Sequence, residues 1–309
     1  MMIRSDERHY FLGIDGGGTK TAFRLVDAKG AVIRTVYAGA SNPNDIGIER
    51  ALAVLADGIR RACEGIPLAC ITAFAGIAGG GLTGDRAAQI RGFLEQFGFF
   101  AFENGSDIEN LIGLAPCDDC VLVIMGTGFI VYSVKGEERK RISGWGQLFD
   151  EGGSGYTIGR DAIAAVLAET DGSGAPTALS TLLSERLGES AEMHLVRFYQ
   201  GGKQYIASFA DLVFRAASAG DAAARAILEN NMRFAAQKIE TALRCHACKV
   251  PVFFAGGISA AQETVFPLLK QNPALSESVL IRLDREPVEG ALNRAKAIYE
   301  MKIKETMLQ

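Results

Sequence analysis

The chain has 309 residues, 48% of them apolar and 22% charged, with a formal net charge of −4. At about 100–200 residues per domain that length suggests two domains of ordinary globular composition. No basic run marks a nucleic-acid surface, no window reaches the ~20 apolar residues of a membrane span, and the polar segment Met1–Tyr10 lacks a leader's apolar core, so the expectation is a cytoplasmic protein with no nucleic-acid or membrane partner.

Residues 10–14 form a short apolar run that ends in Asp15-Gly16-Gly17-Gly18-Thr19-Lys20-Thr21. A second run, Ala22–Val26, leads into the turn Asp27-Ala28-Lys29-Gly30, and a third spans Ala31–Tyr37. This pattern predicts an antiparallel meander of three strands. Ile48, Leu52, Leu55, Ile59 and Ala62 recur at helical spacing, which predicts a helix over 48–64. A buried strand over Cys70–Ile77 and a helix over Asp85–Phe97 follow.

The pattern then returns. Val121–Met125 reads as a buried strand ending in Gly126-Thr127-Gly128, and Ile130–Val134 as the next strand, turning at Lys135-Gly136-Glu137. A long, mostly helical stretch covers 154–243, then comes a strand over Val250–Ala255 ending in Gly256-Gly257, and a closing helix over 287–304. A strand–glycine loop–strand unit therefore occurs twice, near 10–26 and 121–134. That repetition predicts two α/β halves of like topology, 1–116 and 117–309, with the closing helix packing back on the first. In such sheets ligands bind at the ends of parallel strands.

The glycine loops carry the first chemical signal. Three consecutive glycines, Gly16, Gly17 and Gly18, remove every Cβ from a tight turn and let backbone amides approach an anion. Thr19 adds a hydroxyl donor, Lys20 a cation that is more often simply exposed, and Asp15 a carboxylate placed to hold Mg²⁺ or its water shell. The plain alternative is a hairpin with a glycine bulge. Gly126, Thr127 and Gly128 repeat the arrangement, and two such loops could clamp one polyphosphate. The P-loop and dinucleotide fingerprints are both absent.

Four further residue groups invite a role. Asp107, after Asn104-Gly105-Ser106, is either a carboxylate that accepts a proton from an attacking hydroxyl or, with Ser106, a helix cap. Trp145, the one tryptophan, lies between Gly144 and Gly146 and suits either a sugar face or a core turn. Asp150 and Glu151 are acceptors for sugar hydroxyls or else part of a solvated loop. Cys117-x-x-Cys120 and Cys245-x-x-Cys248 each precede a buried strand, so the four thiols could meet as a tetrahedral zinc site or remain small half-buried residues. Arg160 and the scattered His9, His194 and His246 form no set.

Taken in order, Asp15-Gly-Gly-Gly-Thr-Lys-Thr21, Asp107, Gly126-Thr-Gly128, the segment 144–154 (G-W-G-x-x-x-D-E-G-G-S) and Ala255-Gly-Gly257 resemble the N-acetylglucosamine kinases and the related BadF/BadG/BcrA/BcrD ATPases, over residues 10–300. The resemblance implies the actin-like ATPase fold: two ribonuclease-H-like domains around an interdomain nucleotide cleft. It implies ATP with Mg²⁺ as cofactor, phosphates on the 15–21 and 126–128 loops, and Gly256 and Gly257 beside the adenosine against the helix near 225–243. It implies an amino-sugar substrate contacted by Asn42, otherwise a turn asparagine, and by Trp145, Asp150 and Glu151. Asp107 would then take the proton from a sugar hydroxyl, O6 foremost. Two departures stand out: Phe129 follows the second loop where the family has a hydroxyl, and Ser106 precedes Asp107 where the family has asparagine. The other function classes on this scaffold are an ATPase that activates a partner redox enzyme, of the benzoyl-CoA reductase or 2-hydroxyacyl-CoA dehydratase activator type, and a repressor. The latter is disfavoured because no helix-turn-helix precedes Tyr10. The sugar-reading segment favours the kinase, and a homodimer is the default oligomer.

Overall fold

The three N-terminal apolar runs form β1 (Tyr10–Gly16), β2 (Thr21–Asp27) and β3 (Val32–Ala38), joined by turns as an antiparallel meander. The computed structural model describes residues 9–80 and 85–307; the polar N-terminal segment up to residue 8 lies outside the described residues. After β3 come α1 (Pro43–Ile46), α2 (Ile48–Ala62), β4 (Ile71–Ile77), α3 (Asp85–Glu95), β5 (Ala101–Gly105) and α4 (Asp107–Ile112). The sheet order is β3-β2-β1-β4-β5, with β4 parallel to both β1 and β5.

Side chains alternate across this sheet. Leu12, Ile14, Phe23 and Leu25 pack with Leu55 and Ile59 of α2, while Phe11, Val26 and Phe74 meet Ala291, Leu292, Ala295 and Ile298 of the C-terminal helix, Pro287–Met307. With both faces covered, the strands read as nearly unbroken apolar runs. Arg24 on β2 is ion-paired to Glu286 and, at 3.5 Å, to Glu289 at the start of the same helix.

The second sheet is built from β6 (Asp119–Met125), β7 (Phe129–Lys135) and β8 (Glu138–Arg141), followed after a helical stretch by β9 (Val252–Ala255) and β10 (Leu280–Arg282). Its order, β10-β9-β6-β7-β8, repeats that of the first sheet when read from the meander outward. Again the meander is antiparallel, and the third and fourth positions are parallel. The helical stretch resolves into α5 (Gly155–Thr170), α6 (Ala178–Leu187), α7 (Leu195–Ala207), α8 (Ala210–Ser218) and α9 (Ala222–Leu243), and α10 (Gln262–Leu269) follows β9. Local chemistry sets the breaks. Asp221 caps α9 through the amide of Ala224 (2.8 Å) and accepts from Ala178 N at the start of α6 (2.7 Å).

The chain divides into two compact units, Met1–Pro116 with Asp284–Gln309, and Cys117–Leu283. The C-terminal helix is therefore part of the first. Among the described residues no helix is long and apolar enough to cross a membrane.

Of the two readings of the cysteine pairs, the structure favours small half-buried thiols over a zinc site. β6 and β9 do pair in parallel, with Val121 opposite Val252, so both C-x-x-C pairs precede neighbouring strands. Yet among the described residues no group of three or more His, Cys, Asp or Glu side chains is arranged to hold a metal. Cys117 Sγ instead donates to Asp119 O (3.5 Å) and Cys245 Sγ to Thr241 O (3.6 Å). Burial, with the neighbouring Cys117 adding to it, pushes the Cys120 thiol up to about 12.

The C-terminal helix and α4 touch backbone to backbone, because a methyl group on Gly290 would overlap the carbonyl oxygen of Asn110. Gly290→Ala is accordingly expected to lower stability by about 1–3 kcal/mol, read as an earlier urea midpoint. An unchanged midpoint would show that the two helices are free to separate.

Candidate active site

At the end of β1 the chain crosses to β2 through the triple-glycine loop. Gly17 N donates to Lys20 O (3.0 Å), while the carbonyls of Gly16 and Gly17 accept from Ala78 N (2.7 Å) and Ser41 N (3.0 Å). The loop's carbonyls are thus tied into the fold. Among the described residues the amides of Gly18 and Thr19 have no acceptor, and Thr19 is exposed. Lys20 is exposed too, its ammonium 5.3 Å from the ring centre of Tyr37.

Asp15 sits beside this loop, opposite Ala22 on β2 and Gly76 on β4. Asn110 Nδ2 donates to Asp15 Oδ1 (2.7 Å) and to Gly76 O (3.2 Å). Burial pushes the Asp15 carboxyl up to about 6 against the pull of that hydrogen bond; the Asp107 carboxylate raises it further and Lys20 opposes. Asp107 is the first residue of α4, and Ser106 stands at the N-cap position without making a cap bond. The hydroxyl of Ser106 and the carbonyl oxygen Oδ1 of Asn110 are buried without a hydrogen-bond partner. Two carboxylates, unsatisfied polar atoms and free loop amides make this a place where a hydrated, phosphate-bound divalent cation fits chemically. Mg²⁺ characteristically takes one or two carboxylates and keeps its remaining ligands as water and phosphate oxygen.

Asn42 caps α1: its Oδ1 accepts from Asn44 N (3.0 Å) and its Nδ2 donates to Asp45 Oδ2 (2.8 Å). The turn asparagine reading is thus realised, on a half-buried side chain beside Gly79.

In the second unit, the carbonyls of Gly126 and Thr127 accept from Gly155 N (2.7 Å) and Tyr156 N (3.3 Å), the first two residues of α5. Gly126 N bonds Gly128 O (2.9 Å), so the loop is anchored while Thr127 and Gly128 keep amides with no acceptor among the described residues. Gly256, at φ 96°, follows β9 so closely that any side chain would overlap Met125 O. A methyl on Gly126 would stand 4.0 Å from Gly256 Cα and Gly257 N. The two glycine pairs thus adjoin at the ends of the parallel strands β6 and β9. Phe129, only 3% exposed, turns into the core against Gly153 and Phe234.

The segment 144–154 has a clear internal logic. Asp150 is 8% exposed and accepts from Gly146 N (2.9 Å) and Gly144 N (3.4 Å), which holds the loop closed. Trp145 is 60% exposed, which excludes the core reading, and the Arg141 guanidinium lies 4.7 Å from its ring centre. Glu151 is exposed, as are Leu148 and Phe149. Behind the loop, buried Asn231 accepts from Gly153 N (3.1 Å) and Thr157 Oγ1 (2.7 Å) and donates to Asp161 (2.9 Å). Arg160 is spent on Asp161, at 2.8 Å.

One residue in each unit escaped the sequence reading. Asn110 lies three positions after Asp107, on the same side of a helix, and that spacing was the available signal. Lys203, whose ammonium lines a pocket with Gly128, Gly146 and Asp150, follows Gly201-Gly202 inside a helix, a pair that marks a backbone break.

The sequence model of the BadF/BadG/BcrA/BcrD ATPase family matches residues 12–293. An N-acetylmuramic acid/N-acetylglucosamine kinase of Clostridium acetobutylicum is 30% identical over 262 residues, 81% of this chain and 85% of that protein. An N-acetyl-D-glucosamine kinase of Dictyostelium discoideum is 29% identical over 239 residues, 72% and 75% of the two chains. A solved structure, a candidate N-acetylglucosamine kinase of Chromobacterium violaceum, superposes with a TM-score of 0.76 at 23% identity, covering 94% of this chain and 99% of the other. That likeness shows the shared two-sheet, actin-like ATPase fold.

The raised Asp15 pKa has a measurable consequence. Between 3.8 and about 6 the folded protein holds a proton that the unfolded chain has released, so this contribution to stability is full below 3.8 and is lost as pH rises through 6. Asp15→Asn, which keeps the Asn110 hydrogen bond without the charge, should therefore be more stable than wild type at pH 8, by about 3 kcal/mol. The gap should close toward pH 4 in urea titrations. Equal stabilities at pH 8 would show that the Asp15 carboxylate is not costly to ionise.

Proposed function

This chain belongs to the BadF/BadG/BcrA/BcrD ATPase family, and on that premise we propose that it is an ATP-dependent sugar kinase that phosphorylates an amino sugar, foremost N-acetylglucosamine at its 6-hydroxyl. The substrate class is supported by the two relatives, both kinases of N-acetylated amino sugars. The chemistry is supported by one observation above the others: Asp15, its carboxyl raised by burial and further by the Asp107 carboxylate, stands beside a loop with free amides.

Phosphoryl transfer asks for positioning and charge neutralisation more than for covalent help. In this proposal Asp107 accepts the proton of the attacking sugar hydroxyl, as a carboxylate at the start of α4. Asn110 fixes the orientation of Asp15. Asp15 holds Mg²⁺ through water, and the ion would supply positive charge to the phosphate oxygens. Gly16, Gly17, Gly18, Thr19 and Lys20, with Gly126, Thr127 and Gly128, provide the donors for those oxygens, and Gly256 and Gly257 leave room for the rest of the nucleotide. Trp145, Glu151 and Asn42 meet the sugar, and Asp150 acts through the loop it holds closed. Because ATP is consumed, the cytoplasm is the compartment we assign.

The test is coupled ADP release with Mg·ATP against a panel of amino sugars and hexoses. One amino sugar should stimulate release strongly, and its 6-deoxy analogue should not. Asp107→Ala should lower kcat by about 10²–10⁴-fold, with a much smaller change in sugar KM. ADP release that ignores every sugar would overturn the kinase assignment in favour of an ATPase acting on a partner protein.

A further inference from the structure

We propose that Lys203 is a phosphate-binding residue of this kinase, its ammonium meeting the γ-phosphoryl group at the second glycine loop; this rests on the nucleotide reading of that loop given above. A methyl on Gly128 would stand 3.3 Å from Lys203 Nζ, so the cation lies against the loop itself. It lines one pocket together with Gly128, Gly144, Gly146 and Asp150, and thus faces both the phosphate loop and the segment assigned to the sugar. A cation between those two loops is where charge on a transferring phosphoryl group would develop.

Its setting is built. Helix α7 is interrupted immediately before it by Gly202, at φ 67° and ψ −171°, and resumes with Lys203. Two residues on, the Tyr205 hydroxyl lies 2.6 Å from Nε2 of His194, a buried ring whose Nδ1 is 2.5 Å from Glu189 Oε1. The break aims the restarted helix, and the tyrosine–histidine–glutamate chain holds it.

The electrostatics are those of an anion site. Among the described residues no carboxylate pairs with Lys203. The acid in its pocket, Asp150, directs both oxygens to its own loop's amides. Lys203 is half-buried as a residue, and its charge is left to be met by an anion from outside the protein.

The experiment uses the full chain and calorimetric titration with ADP and with the non-hydrolysable β,γ-imido analogue of ATP, alongside steady-state kinetics on the sugar found above. For Lys203→Ala we expect binding of the ATP analogue to weaken about 10-fold or more, ADP binding to change less than about 3-fold, and kcat to fall roughly 10²-fold. The melting temperature should stay unchanged, and Lys203→Arg should recover much of the loss. A variant that binds both nucleotides as wild type does would overturn the assignment of Lys203 while leaving the kinase intact. Equal loss toward both nucleotides would overturn it too, since the γ-phosphoryl group would then not be the contact. Wild-type protein that binds neither nucleotide would sink the kinase proposal itself, and Lys203 with it.

Discussion

One buried side-chain amide organises the first unit. Asn110 is wholly enclosed, and its Nδ2 reaches both the Asp15 carboxylate at the end of β1 and the Gly76 carbonyl on β4. The geometry is possible only because Gly76 has no side chain, since a methyl there would overlap the amide. A carboxyl held in this way is partly desolvated and reluctant to ionise, and that reluctance is the mark of a group kept for an external partner rather than for the protein's own stability. Everything that fixes α4, including its contact with the C-terminal helix, therefore also fixes the position of Asp15.

The two sheets solve the same problem twice. In each, a tight glycine loop leaves the first strand of an antiparallel meander, and its carbonyls are drawn inward by backbone amides from elsewhere: Ala78 and Ser41 in the first unit, Gly155 and Tyr156 in the second. Committing the acceptors inward leaves the amides as the loop's outward face. A backbone so arranged favours anions through its own amides, so a chain whose net charge is −4 needs few basic side chains at the loops. The carboxylate near the second loop, Asp150, differs from Asp15 in that both its oxygens accept from amides of its own loop.

The legible parts of the sequence were those in which one physical requirement dominates. Strands covered on both faces must be apolar throughout, and β1, β2, β4, β6 and β7 announced themselves in that way. β5, β8 and β10 did not: Ala101–Gly105 carries Glu103 and Asn104, Glu138–Arg141 is wholly charged, and Leu280–Arg282 has three residues. Edge strands tolerate such composition, and charge there protects the edge from unwanted pairing. The side chains of the site were legible as residue types but not as partners. Asp150 was visible as an acid beside glycines, yet only the fold shows that the glycines' own amides are what it binds. Likewise nothing in a lone asparagine of α4 or a lone lysine of α7 announces which loop it reaches across the chain.

The second unit is continuous, Cys117–Leu283, but the first is completed by a helix that comes after it in the chain. During synthesis at roughly 5–20 residues per second, the second unit leaves the ribosome whole while the first still exposes the sheet face that Phe11, Val26 and Phe74 will later cover. Vectorial production thus inverts the order suggested by the sequence: the unit that begins first finishes last. The Asp15 site cannot take its final form until that helix has followed the second unit out of the ribosome, so a nascent chain holds Cys117–Leu283 complete while Asp15 still waits for its surroundings.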